Sequence, residues 1–209
     1  MTDRALGAVV LAAGGSTRLG HPKQLVVHEG LALVARAAGA ALRAGAHPVV
    51  VVVGADADAV SAVLSGLPVV QALNPRWADG IGTSLARGLR AIIEHAPALA
   101  GVLIVLADQP LVDDASLTRL VAAWSEADAT AADGETHGTI AAAAYTGTVG
   151  VPAVFGRAHF DALRSLPPEA GASVLLRAGG AHVVHVPMLE AATDLDTPDD
   201  LDRFRARAT

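Results

Sequence analysis

The sequence contains no cysteine, which excludes disulfides, thiolate metal sites and a cysteine nucleophile. It has one lysine, Lys23, against 14 arginines. Aromatic residues make up 3% of the chain, so its core must be built from Ala, Val and Leu. No apolar run reaches the roughly 20 residues that a membrane-spanning helix needs. The best candidate, Leu31 to Ala46, is broken by Arg36 and Arg43. Basic residues fall short of acidic ones, 15 against 21, and a net charge of −6 argues against a nucleic-acid-binding surface. Arg4 ahead of the apolar Ala8 to Ala13 imitates a signal peptide. That run is short, and its β-branched residues before Gly14-Gly15 fit a buried strand entering a tight turn. The expected compartment is the cytoplasm.

What is present is a chain of 209 residues, 52% hydrophobic, enough for one domain, 1–209, with a substantial core. Apolar runs and amphipathic segments alternate. Strands are expected at Gly7 to Ala12, Pro48 to Gly54, Leu67 to Gln71 and Gly101 to Leu106. Helices are expected at Leu31 to Leu42, Asp56 to Leu64, Ile81 to Glu94 and Asp113 to Ser125. This order predicts a three-layer α/β architecture, a mostly parallel Rossmann-like sheet with helices on both faces. After residue 130 the rhythm changes. Thr139 to Tyr145 and Val151 to Phe155 read as strands joined by a glycine-bearing turn, a late antiparallel element. Helices at Arg157 to Leu166 and Ala172 to Arg177, a strand at His182 to Val186 and a helix at Pro198 to Arg207 complete the chain. Ala127 to Gly138 reads as a polar loop.

The segment from Leu11 to Gln24 carries the most information. A buried strand runs into a loop with three glycines, Arg18 and Lys23. Glycines let backbone N–H groups close on an anion, and the two cations add charge. No acidic residue occurs from Ala5 to His28 in an acidic chain, and the sole lysine falls here, where random placement puts it in a ten-residue window about one time in twenty. A compact ammonium meets phosphate as a point charge. The loop is therefore expected to bind phosphate. It is neither a P-loop nor a dinucleotide fingerprint, because the required glycine and lysine spacings are missing.

Three further segments stand out. Asp108 lies just past the strand ending at Leu106, where ligands cluster in parallel sheets; alternatively it caps the following turn. In Thr193-Asp194-Leu195-Asp196-Thr197-Pro198-Asp199-Asp200, Thr197 fits an N-cap, Pro198 the first helical position, and Asp199 and Asp200 the positive helix end. Asp194 and Asp196 are not needed for that cap. Asn74 to Ser84 joins a strand to a helix and reads by itself as a capped helix start, with Trp77 as packing. The eight histidines form no metal site: His182 and His185 fall on opposite faces of a short strand.

Taken in order, these segments resemble the MobA-like nucleotidyltransferases, from Leu11 to Leu201. The first is similar to the family's Leu-Ala-Ala/Gly-Gly-x-Ser-x-Arg-Met-Gly-x-x-Lys, with Leu19 for the usual Met. Ala13 and Gln24 are more similar to the cytidylyltransferase branch, which attaches CMP from CTP to molybdopterin. The resemblance implies a nucleotide-diphospho-sugar transferase-like fold. It implies that Leu11, Ala12, Ala13, Gly14, Gly15, Arg18 and Lys23 bind the nucleotide, with Gly80, Gly82 and Ser84 beside its base. Arg18, Lys23 and Asp108 take the catalytic roles. Mg²⁺ is implied as cofactor, held by Asp108 of the Asp-Gln-Pro element and by Asp196, or in second place Asp194, of Asp-Leu-Asp-Thr-Pro. Tyr145, Gly150 and Pro152 match the family's Tyr-x-Gly-x-x-Gly-x-Pro element and fall on the acceptor side, roughly residues 139–190. Glu169 and Ser173 stand where the family has Asp and Arg. The implied partners are CTP, a molybdopterin-type phosphorylated acceptor and a molybdoenzyme client, with no nucleic acid and no membrane. The alternatives are a related transferase using GTP or another phosphorylated acceptor, and a non-catalytic nucleotide or cofactor carrier.

Overall fold

The computed structural model describes residues 5–131, 138–179 and 183–207. Leu6–Ala12 forms β1. After a long loop come a small hairpin, β2 (Val27–His28) and β3 (Leu31–Ala32), and helix α1 (Leu33–Arg43). The chain continues through β4 (Val49–Val53), α2 (Ala57–Val63), β5 (Val70–Leu73), α3 (Ile81–His95), β6 (Gly101–Leu106) and α4 (Asp114–Thr130). It ends with β7 (Ile140–Tyr145), β8 (Thr148–Gly156), α5 (Phe160–Arg164), α6 (Ser173–Gly179), β9 (Val183–Pro187) and α7 (Pro198–Arg207).

Seven strands form one sheet in the order β5-β4-β1-β6-β8-β7-β9. The pairs β1–β4, β1–β6, β4–β5 and β7–β9 are parallel, and β8 alone runs antiparallel to its neighbours β6 and β7. The expected mostly parallel sheet with a late antiparallel element is what the chain adopts.

The two-residue period of a strand explains the layers. Ala8, Val10 and Ala12 of β1 pack with α1 and α4 residues such as Val34, Ala38, Leu117 and Leu120. Val9, Leu11 and the following Ala13 pack on the opposite side with Leu85, Leu89 and Ile92 of α3. All five valines of β4 are buried, as a strand covered on both faces requires. A third cluster joins Leu195, Leu201 and Phe204 to Leu19, Val26 and Leu33. Each such burial is worth about 1.5–3 kcal/mol in transfer free energy, and this cluster holds the chain's last segment against its first loop.

Several boundaries differ from the expected ones for local reasons. Leu31 and Ala32 pair with β2 across the Glu29-Gly30 turn, both at positive φ, so α1 starts at Leu33. Pro68 has no N–H to give a ladder, and β5 starts beyond it at Val70. α4 runs on to Thr130, so the start of the expected loop at Ala127 is helical; residues 132–137 of that loop lie outside the described residues. The Arg157 to Leu166 helix is a 3₁₀ turn followed by α5, which stops before Pro167 and Pro168. β9 begins at Val183, and His182 lies outside the described residues. Among the described residues no helix is long and apolar enough to cross a membrane.

Candidate functional site

Three chain segments meet at the carboxyl ends of β1 and β6, the edge where parallel sheets bind ligands. The loop after β1 delivers Lys23 in a 3₁₀ turn, Lys23–Leu25. Asp108 follows β6 directly. Residues 193–196 cross over the end of β6, where Leu195 N donates to Asp108 O at 3.1 Å. Their course is set by a capping box at α7: Thr197 N and Oγ donate to Asp200 Oδ2 at 2.9 and 2.7 Å, and Asp200 N donates to Thr197 Oγ at 3.2 Å.

The Lys23 ammonium is shared between two carboxylates. It pairs with Asp108 Oδ2 and lies 2.8 Å from Asp196 Oδ1. Arg18 Nη2, more exposed, lies 2.8 Å from Asp196 Oδ2. Burial works against the Lys23 charge, but Asp108 and then Asp196 outweigh it and hold the ammonium above its ordinary value. The hydrogen bond from Lys23, with Arg18 behind it and burial opposing, keeps Asp196 below the usual carboxylate range. Asp194 goes the other way: burial and the facing Asp108 and Asp196 push it up to about 6, against the pull of Lys23.

This arrangement fits a divalent cation. Asp108 Oδ1 is buried without a hydrogen-bond partner, a costly state for a carboxylate oxygen unless a cation meets it. Three carboxylates face one ammonium and the Arg18 guanidinium, which still leaves an excess of negative charge. Among the described residues no three His, Asp or Glu side chains form a ready cage. Two carboxylates completed by phosphate oxygens and water suit Mg²⁺ better than an all-protein cage does.

Beside Lys23 and Asp108 lies a cavity of about 200 Å³ lined by Leu11, Ala13, Gly14, Gln24, Trp77, Ile81, Ser84, Leu106 and Ala107 as well. That is the scale of one end of a nucleotide, below the roughly 300–1,000 Å³ of a whole drug-sized pocket. Ala12 is buried behind the wall. Gly15 lets the Trp77 ring edge approach to within about 3 Å of where a Cβ would stand, so Trp77 packs against the loop and also faces the cavity. Ser84 is placed by Asn74, whose Nδ2 donates to Ser84 Oγ at 3.0 Å and to Thr83 Oγ1 at 2.9 Å.

Gly80 and Gly82 face elsewhere. The Gly82 amide donates to Pro168 O at 2.8 Å, and a Cβ at either glycine would collide with the backbone of Pro167 or Pro168. The segment that departs from the family's acceptor element is therefore docked on the start of α3. The β7–β8 hairpin carries Tyr145, Gly150 and Pro152. A Cβ at Gly150 would collide with the Tyr145 hydroxyl, and burial followed by the charge of Asp194 raises the Tyr145 phenol. Gln109 ties the hairpin to the site, its Nε2 donating to Val151 O at 3.1 Å and Ala191 O at 2.9 Å. A cleft of about 650 Å³, lined by Asp194, Thr193, Leu111, His28, Arg203 and Phe204, opens beside the carboxylates.

The sequence pointed to the charged residues and missed the polar groups that brace the segments around them: Ser16, Asn74, Gln109 and the bracing role of Gln24. Their signal is weak. Each is one uncharged polar residue beside an apolar run, and only long-range contacts reveal its partners.

Comparison with solved structures defines the class. Rv0371c from Mycobacterium tuberculosis H37Rv superposes with a TM-score of 0.75 and 28% identity, covering 97% of this chain and 98% of that one. Its complex with manganese superposes at 0.68 with 27% identity, with the same coverage. A nucleotidyl transferase from Methanothermobacter thermautotrophicus gives 0.75 and 25%, covering 98% of this chain and 97% of that one. The fold is nucleotide-diphospho-sugar transferase-like. The chain matches the MobA-like NTP transferase domain over residues 8–185 and belongs to that family. Nicotine blue oxidoreductase of Paenarthrobacter nicotinovorans is 33% identical over 208 residues, 94% of each chain.

Proposed function

We propose that this chain is a Mg²⁺-dependent cytidylyltransferase that moves CMP from CTP to the terminal phosphate of a molybdopterin-type acceptor. The observation that carries the reading is the Lys23 ammonium held between Asp108 and Asp196 at the mouth of a cavity lined by Gly14 and Ser84. An acceptor phosphate oxygen attacks the α-phosphorus of CTP. The bond from that phosphorus to the oxygen bridging the β-phosphate breaks, and pyrophosphate leaves.

The chain's own work is alignment and charge neutralisation. Leu11 to Gly15 cradle the nucleotide, with Ser84 on the base side; Gly80 and Gly82 instead seat the 166–171 segment on the start of α3. Lys23 and Arg18 exchange a carboxylate partner for phosphate oxygens, and they stabilise the α-phosphate and the leaving group. Asp108 and Asp196, with Asp194 as the second choice, hold Mg²⁺. The metal, when bound, supplies charge neutralisation on the triphosphate. Tyr145, Gly150 and Pro152 shape the acceptor side, and the cleft beside Asp194 gives the acceptor room. The protein works in the cytoplasm as one domain, delivering its product to a molybdoenzyme.

A second reading, an oxidoreductase, follows the name of the full-length relative. The departure of Glu169 and Ser173 from the transferase's acceptor element favours it. Pyrophosphate release, measured with each nucleoside triphosphate against molybdopterin, separates the readings. CTP-selective release supports the cytidylyltransferase. GTP-selective release moves the assignment to the related transferase. No release from any triphosphate rejects transfer to molybdopterin and leaves a transferase with another phosphorylated acceptor, the carrier and the oxidoreductase readings.

A further inference from the structure

Gln24 is 2% exposed, and a glutamine brings a two-proton donor and an acceptor that are costly to bury unpaired. Both ends of its carboxamide are engaged, and every partner lies at the end of β1 or in the loop that follows it. Nε2 donates to Ala12 O at 3.1 Å and to Gly14 O at 2.6 Å, the two carbonyls that flank Ala13. Oε1 accepts from Ser16 Oγ at 3.3 Å. The Ser16 oxygen in turn accepts the backbone N–H of Lys23 at 2.9 Å. Ser16 sits at φ 49°, a left-handed conformation that a non-glycine residue holds only when its surroundings impose it. One buried side chain thus joins the glycine end of the loop to its lysine end.

We propose that Gln24 is a positioning residue for nucleotide binding. Its carboxamide fixes the Ala12–Ser16 backbone before the nucleotide arrives, so the triphosphate meets a cradle that needs no reorganisation. An unrestrained glycine loop must be ordered by the ligand, and that ordering is subtracted from affinity. The chemistry demands an amide of this length. A glutamate has no protons for the two carbonyl oxygens and adds negative charge beside a phosphate site. A leucine fills the same space and makes none of the bonds. This inference rests on reading the loop as the triphosphate site.

The test is a titration of Mg²⁺·CTP into the full-length protein, followed by tryptophan fluorescence because Trp77 packs on Gly15. The variants are Gln24→Glu, Gln24→Leu, Ser16→Ala and the Ser16→Ala/Gln24→Leu double variant. Both Gln24 variants are expected to weaken CTP binding at least about tenfold and Ser16→Ala by about threefold, as lost preorganisation implies. The double variant should bind no more weakly than Gln24→Leu alone, because the two groups act in one network. Ser16 is the milder site and serves if a Gln24 variant does not fold. Equal CTP affinity across the folded variants overturns the inference even if thermal midpoints fall, since a merely structural role moves only the midpoint. Additive losses overturn it as well. A wild-type protein that binds no nucleoside triphosphate overturns the triphosphate reading itself, and this inference with it.

Discussion

Lys23 Nζ and Asp196 Oδ1 lie 2.8 Å apart across 173 residues of chain. That ion pair closes the site, because it fastens the loop after β1 to the segment that precedes α7. The apolar cluster of Leu19, Val26, Leu33, Leu195, Leu201 and Phe204 brings the two segments together, and the charges then set their register. Lys23→Ala is expected to lower turnover at least about a hundredfold, the scale of losing one contact to charge developing in the transition state. Steady-state kinetics at saturating nucleotide measure it. Near-normal turnover would remove Lys23 from the chemistry.

Asp108 Oδ1 is buried and unpartnered, so Asp108→Asn should abolish activity or shift its metal dependence to far higher Mg²⁺. Asp196→Asn is expected to behave similarly and Asp194→Asn more mildly, which separates the two candidates for the second ligand. Mg²⁺ titrations of pyrophosphate release read this out. A wild-type metal profile in Asp108→Asn would exclude it from the site.

The Gly82 amide is bonded to Pro168 O, and the backbone of Pro167 occupies the space a side chain would need. Gly82→Ala must displace the 166–171 segment or the start of α3, an overpacking cost of about 1–3 kcal/mol. Denaturant unfolding should show that loss. Since Ser84 lies half a turn further along α3, the nucleotide KM should rise too. An unchanged unfolding midpoint would mean that the contact is dispensable.

Acid should loosen the junction between α4 and the turn at Leu189–Ala192. The Glu190 carboxyl is held below its ordinary value near 4.5 by its own backbone N–H; burial opposes, and Arg119 and Ser116 add to the lowering. Burial raises Asp113, but the Ser116 N–H and hydroxyl outweigh it and bring it below 3.8. Depressed carboxylates contribute stability that is complete above their unfolded values and lost as pH falls through their folded ones. The urea midpoint should therefore drop as pH falls below about 4.5. Glu190→Gln should flatten part of that drop. An identical slope in the variant would assign the acid sensitivity elsewhere.

Local pattern made much of this architecture legible. The valines of β4, the periodicity of α3 and the cap at Thr197 each report their structure through near neighbours. Boundaries slipped where a tertiary partner intervened, as at Leu31, which pairs with β2, or after Arg164, where two prolines stop the helix. Lys23 and Asp108 stand out because charge is rare in their apolar surroundings, whereas Asp196 sits in an acidic run and is singled out only by the family resemblance; the structure brings the three side chains together. The brace formed by Gln24 and Ser16 was not legible, since hydrogen bonds to backbone carbonyls leave no mark on composition or spacing. Nor was the docking of Pro167 and Pro168 on α3, which depends on two segments some 85 residues apart.

The most direct measurement follows label from the α-phosphate of CTP in the presence of Mg²⁺ and molybdopterin. Wild-type protein should place the label on the acceptor in step with pyrophosphate release, and neither Lys23→Ala nor Asp108→Asn should do so at a comparable rate. Label remaining in free CTP, or equal transfer by all three proteins, would contradict nucleotidyl transfer at this site.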